Sequence, residues 1–334
     1  TIYVQGSGSG NVGINLSSTV SGNVVSGNSI RTTGTDLNYG VRLESSANNN
    51  TVTNNTIYAQ GSLGSNYGIY LYSTVSGNVV SGNSISTNGT SSNYGVSLDT
   101  SANNNNLTNN TIYAQGSEGS NYGVSLSSAS GNVVSGNSIT TNGTNNNYGM
   151  YSLSAVNTTI AINTIRSRGS SSGNIGLIFD GSSSNNLVQG NNISTYGMSS
   201  NHGMTLTSSA SNHSLINNTV YAQGSQGSNY GIYLTSGAIW NLVQGNLITT
   251  NGTSQNYGVY LTSLVRNNTI SNNIIFAQGS GNTNVGLFCD NAVSGNVVLS
   301  NNIRTNGTDN NYGMALQSSA NNNTVVNNTI RAQG

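Results

Sequence analysis

A fixed spacing governs this sequence. The tripeptide Asn-Tyr-Gly, or a close variant, places a Gly at 13, 40, 68, 95, 123, 149, 176, 203, 231, 258, 286 and 313, at intervals of 26 to 28 residues. The 334 residues thus hold twelve units with no linker or composition shift between them. Such self-similarity marks architectures in which one small unit stacks on the next. The expectation is one solenoid domain over residues 1–334.

Aligned, the units expose four apolar columns, represented in one unit by Val96, Leu98, Leu107 and Ile112. Neighbouring columns are linked by a period of two, as in Val41-x-Leu43, which indicates strand rather than helix. Their β-branched bias agrees. Each run spans only three to five residues before Gly, Asn or Ser, and no ten-residue amphipathic stretch exists to support a helical repeat.

Polar columns are as strict. Asn stands two residues before the Ile column in every unit: Asn28, Asn55, Asn83, Asn110, Asn137, Asn163, Asn191, Asn218, Asn246, Asn273, Asn301 and Asn328. Alternation points it inward, where an amide is tolerable only if paired. Stacked units would pair each Asn with the Asn above and below. A second Gly column, including Gly34, Gly61, Gly89 and Gly116, is expected to mark a turn with φ > 0. Turns of Thr-Asn-Gly-Thr type (residues 87–90, 141–144, 250–253, 305–308) alternate with Ala-Gln-Gly-Ser (residues 59–62, 114–117, 222–225, 277–280), giving a genetic unit of two coils.

These columns predict an all-β fold: a single-stranded, right-handed parallel β-helix of about 12 coils of 26–28 residues. Equivalent residues would stack about 4.8 Å apart, giving a rod about 58 Å long, and the crossover rule favours the right hand. The segment at residues 66–89, with its Gly-Ile-x-Leu, polar turn and x-Val-x-x-Asn-x-Ile-x-x-x-Gly, resembles the parallel β-helix repeat of pectate-lyase-like and NosD-like solenoid surface proteins. The resemblance covers essentially the whole chain. It implies the fold strongly and function weakly, since the fold hosts lyases, hydrolases, adhesins and inert surface material.

A lone coil cannot offset its own conformational entropy, so stability must come from stacking. Residues 1–10 match the tail of a unit and the final Thr-Ile-Arg-Ala-Gln-Gly lies within another. Neither reads as a cap. A segment of a longer repeat chain, or a subunit stacking end to end, is expected.

Charge narrows function. Charged residues make up 4%, seven Arg against seven Asp and Glu with no Lys, where ordinary domains carry about 25%. Seven scattered Arg cannot displace the counterions of a nucleic acid. Cys289 is alone, so no disulfide framework exists. No apolar run reaches the length of a membrane-spanning helix.

The candidate chemistry is sparse. Glu44, Asp99, Asp180 and Asp290 share one outward column, with Glu44 and Asp99 about 9.6 Å apart by coil spacing. No Lys or His accompanies them, and Arg42 beside Glu44 reads as a surface ion pair. Neither His202 nor His213 has partners for a metal site, and Cys289 lies in an inward Leu column as a buried thiol. No cofactor, metal or catalytic residue is expected. A Tyr column (Tyr39, Tyr67, Tyr94, Tyr122, Tyr148, Tyr230, Tyr257 and Tyr312) suits an aromatic ladder, or a row that stacks on sugars with outward Tyr58, Tyr113 and Tyr221. Sequons at Asn88, Asn142, Asn251 and Asn306 fall in the expected turns and are the better candidates for glycosylation; those at Asn54, Asn109, Asn217, Asn267 and Asn327 fall in expected strands.

The main expectation is a structural, non-enzymatic extracellular or cell-surface protein building a fibre, sheath, surface layer or adhesin stalk. Its partners would be copies of itself, end to end or side by side, with covalent glycans or cell-surface polysaccharide. The alternatives are a carbohydrate-binding or carbohydrate-active β-helix and an ice-binding adhesin segment.

Overall fold

The computed structural model describes residues 1–334, the side chain of Asn282 excepted. Contacts divide the chain into two units, Thr1–Gly169 and Ser170–Gly334. Each is a stack of parallel coils, and every regular element is a strand. A coil runs through three strands in turn, as in Tyr94–Asp99, Asn106–Thr108 and Thr111–Gly116. The strands of successive coils pair in register: Ile85 with Ile112, Leu98 with Leu126, Leu107 with Val134. The first unit therefore carries parallel sheets of seven, six and six strands, and the second three of six. Here the "first" sheet contains Thr111–Gly116, the "second" Tyr94–Asp99 and the "third" Asn106–Thr108.

The predicted apolar columns form the interior. Val96, Leu98, Leu107 and Ile112 are each at most 1% exposed, and burying each contributes about 1.5–3 kcal/mol. The expected Asn column is a hydrogen-bonded ladder. Amide Nδ2 donates to the next coil's Oδ1 at 2.9–3.1 Å from Asn28 through Asn163 in the first unit, and likewise from Asn191 through Asn328 in the second.

Two further Asn ladders were not foreseen. The Asn of the framing tripeptide is buried, and Asn38, Asn66, Asn93 and Asn121 pass amide bonds along the stack at 2.8–2.9 Å. A third ladder joins Asn50, Asn78 and Asn105, and again Asn241, Asn268 and Asn296. The Asn of the framing tripeptide is invariant in all twelve units, whereas the third column carries Thr158 and His213 in place of Asn.

The turns differ from expectation in a physically informative way. Gly61, Gly89 and Gly116 have no positive φ; they end paired strands such as Ser84–Gly89. A Cβ on Gly61 would lie 2.6 Å from Asn66 Oδ1 and 2.7 Å from the Thr35 carbonyl, so this column is Gly because an Asn ladder passes against it. In the turns that precede the expected and the third Asn ladders, positive φ falls on the residue before the Asn, as at Gly82 (65°), Asn109 (55°) and Gly136 (67°). Asn and Gly alternate there because both tolerate the left-handed region. Three positions break that rule, Ile162 (56°), Trp240 (60°) and Ser300 (55°), each carrying strain of about 1–2 kcal/mol.

The residues expected as Thr-Asn-Gly-Thr turns are thus partly strand. Thr87 points inward and faces Ala59 and Ala114 in register. This Thr/Ala alternation is the physical content of the two-coil period.

Candidate functional site

The outer face of the second sheet concentrates the aromatic side chains. Five strands there begin Tyr-Gly and then alternate, so the first, fourth and sixth residues project outward, as Tyr67, Tyr70 and Tyr72 do. In the first unit Tyr39, Tyr67, Tyr94, Tyr122 and Tyr148 stack with centroids 4.7–5.2 Å apart and planes within 11°. In the second unit His202, Tyr230 and Tyr257 continue this type of row at 4.7 and 5.1 Å. A parallel row of Tyr233, Tyr260 and Phe288 stands beside it at 5.2 and 5.1 Å. Tyr312 shares the column of Tyr257 but is 48% exposed, with Val285 between them.

These rows enclose grooves. In the second unit a groove of about 510 Å³ is lined by Tyr230, Tyr257, Tyr260, Phe288, Asp290 and Tyr312, among others. A smaller one of about 190 Å³ in the first unit is lined by Tyr67, Tyr94, Asp99, Tyr122 and Tyr151 with several serines. Burial raises the phenol pKa values, Tyr257 to about 12 with help from Tyr260 and Asp290, and Tyr94 to about 12. These hydroxyls remain protonated at neutral pH and act as hydrogen-bond donors beside flat apolar rings. That combination suits the apolar face and hydroxyl rim of a pyranose.

The carboxylate column does not form a pair. Glu44 is bonded by Arg42, and strand register puts Tyr72 between Glu44 and Asp99. Tyr70 reaches Asp99 at 3.5 Å. Asp180 accepts from the Gly181 N–H at 2.7 Å, and Asp290 lies in the large groove. Among the described residues no three of His, Cys, Asp and Glu cluster as metal ligands. Cys289 is buried, its thiol pushed up to about 12 by burial.

Tyr58, Tyr113 and Tyr221 project from the first sheet, but Ser86 separates Tyr58 from Tyr113, so they form no continuous row. The sequons exchange places relative to expectation. Asn88, Asn142 and Asn251 stand one residue before the ends of paired strands of the first sheet and Asn306 ends one, with Asn142 and Asn306 exposed and Asn88 and Asn251 half-buried. Asn54, Asn109, Asn217 and Asn327 are exposed turn residues with positive φ. Asn267 is also a turn residue, half-buried.

His213 occupies an Asn position of the third ladder. The Asn186 N–H donates to its Nδ1 at 3.2 Å, which places the proton on Nε2, and the ring stacks on Phe179 at 4.3 Å. Nε2 is buried without a hydrogen bond. Burial lowers the pKa to about 4, opposed in part by the Ser183 carbonyl. The unfolded chain, with His near 6.5, binds the proton more readily. Stability from this group is full above about pH 6.5 and lost as pH falls toward 4, by roughly 3 kcal/mol. Half-buried His202, its pKa also lowered to about 4 by desolvation, adds in the same direction. His213→Asn should flatten the melting temperature between about pH 6.5 and pH 4 relative to the parent; identical slopes would refute the assignment.

Fold and face together define a solenoid with an aromatic, groove-bearing side. The chain belongs to the right-handed β-helix family, whose model matches residues 94–275, and it is an all-β right-handed parallel β-helix of about twelve turns. The model described as "Periplasmic copper-binding protein (NosD)" matches residues 7–170. That stretch contains no His, no Cys and a single Met, the buried Met150, so it lacks the set of soft or imidazole donors copper takes and its residues do not fit a copper site. No curated protein matches the chain. Among solved structures, a periplasmic alginate epimerase, AlgG, is 14% identical with a TM-score of 0.66, covering 91% of this chain and 73% of its own. The A-module of the Azotobacter vinelandii mannuronan C-5 epimerase AlgE6 is 12% identical with a TM-score of 0.60, covering 99% of this chain and 88% of its own.

These likenesses correct the expectation of a non-enzymatic protein. Both structures are enzymes on the same fold over at least nine-tenths of this chain, so the β-helix fold is no ground for excluding catalysis.

Proposed function

We propose that this protein recognises polysaccharide along the aromatic outer face of its second sheet, as a carbohydrate-active or surface β-helix. The observation that carries this reading is the groove of about 510 Å³ walled by two adjoining aromatic rows. The epimerases that share its fold act, by their names, on alginate and mannuronan, which supports a glycan ligand. AlgG and the NosD model are both described as periplasmic, which supports a place in the periplasm or outside the cell. The fibre or sheath expected from the sequence gains no comparable support; the stacked coils act here as the rigid platform that spaces the rings.

Calorimetric titration with a panel of oligosaccharides tests the reading. Tyr260→Ala should weaken binding about ten-fold or more, as removal of a central aromatic contact does. Tyr58→Ala, on the first sheet, should leave affinity unchanged. Equal losses for the two variants, or no binding by any glycan, would end the proposal.

A further inference from the structure

We propose that the groove in the second unit selects amine-bearing sugars, seating an ammonium group between Asp290 and the surrounding rings; this rests on the carbohydrate reading above. The first unit already contains a picture of the bound state. On strand Tyr39–Glu44 the outward residues are Tyr39, Arg42 and Glu44. The Arg42 guanidinium lies 5.4 Å above the Tyr39 ring and pairs with Glu44. Cation, aromatic face and carboxylate satisfy one another within one strand.

In the second unit the same columns recur without the cation. Tyr312, Ala315 and Gln317 hold the positions of Tyr39, Arg42 and Glu44 in the repeat. Ala315 neighbours Phe288 in register, and its methyl leaves open the space that an Arg side chain fills in the other unit. Asp290, at the end of the adjacent strand, supplies the carboxylate. Its Oδ1 is buried outside hydrogen-bond geometry with any described residue, although the Tyr260 hydroxyl, its pKa raised by burial, faces the carboxylate closely enough for Asp290 to raise it further. The residues lining the groove include no Arg, Lys or His, so Asp290 is its one charged group.

An unpaired carboxylate oxygen kept from water is costly, and aromatic faces attract cations. An ammonium group on a sugar answers both. A uronate would bring a second carboxylate beside Asp290 and be repelled, although it is the kind of sugar acid that alginate contains. The polymer favoured is therefore a hexosamine with free amines.

The test is calorimetric titration at about pH 6 with three oligomers of equal length: glucosamine, N-acetylglucosamine and a uronic acid. The glucosamine oligomer should bind at least ten-fold tighter than the other two, and Asp290→Asn should abolish that margin while sparing the N-acetylated oligomer. Ala315→Arg, which writes the first unit's arrangement into the second, should fill the groove and block the glucosamine oligomer without lowering the melting temperature. Equal binding of the amine and N-acetyl oligomers, or an unchanged margin in Asp290→Asn, overturns this inference and leaves the carbohydrate reading standing. If no oligomer binds and Tyr260→Ala changes nothing, both fall.

Discussion

Replacing Asn110 by Ala is expected to destabilise the first unit by about 4 kcal/mol, from the loss of several buried hydrogen bonds. The amide makes five. Its Oδ1 accepts from the backbone N–H and the Nδ2 of Asn83, both at 2.9 Å. Its Nδ2 donates to the Val80 carbonyl at 2.9 Å and to the Thr108 carbonyl and Asn137 Oδ1 at 3.0 Å. Removing it strands the Asn83 N–H and the Val80 carbonyl where water cannot reach, at about 1–3 kcal/mol each. Asn106, four residues earlier and exposed, is the control; its change to Ala should stay within about 0.5 kcal/mol. Coils contact only their neighbours, so hydrogen exchange should show the loss centred on the coils joined by Asn83, Asn110 and Asn137. A urea midpoint for Asn110→Ala indistinguishable from that of Asn106→Ala would show the ladder to be passive.

The second large effect concerns two kinds of Gly. Gly116→Ala places a methyl 2.7 Å from both Asn121 Oδ1 and the Thr90 carbonyl, and 2.9 Å from Asn93 Nδ2. Neither a ladder amide nor a paired carbonyl can retreat without losing its own bonds, so a cost of about 3 kcal/mol is expected, in the range of overpacked cores. Gly190→Asn tests the opposite case. Gly190 has φ of 64° and nothing within 4 Å of an added Cβ. Asn217 fills the equivalent turn one coil later at 53°. That substitution should change stability by a few tenths of a kcal/mol. Thermal melts of the two variants decide the matter, and a larger loss for Gly190→Asn would reverse the assignment of the two Gly columns.

Much of the fold was legible because the repeat displays each environment twelve times. Val96, Leu98, Leu107 and Ile112 were placed inward correctly, and so was Asn110. The errors share one cause. Gly116 was read as a turn and Asn109 as strand, whereas the first ends a strand and the second turns the chain. In sequence both are small, polar-compatible positions at the edge of an apolar-alternating run. What separates them is a contact with residues more than twenty positions away, such as Asn93 against Gly116. The candidate site was half legible. The Tyr column was evident, but Tyr233, Tyr260 and Phe288 were not recognised as a second row, because that column holds Ser97 and Ser125 in other coils.

By itself the sequence determined the period, the strand alternation and the inward Asn, since these follow from side-chain direction along an extended chain. Tertiary structure alone decided which Gly must lack a Cβ and where the groove opens. Both depend on the volume left between neighbours one coil apart: the amide of Asn93 leaves no room for a methyl on Gly116, and the small side chain of Ala315 leaves room for a ligand beside Phe288 and Asp290.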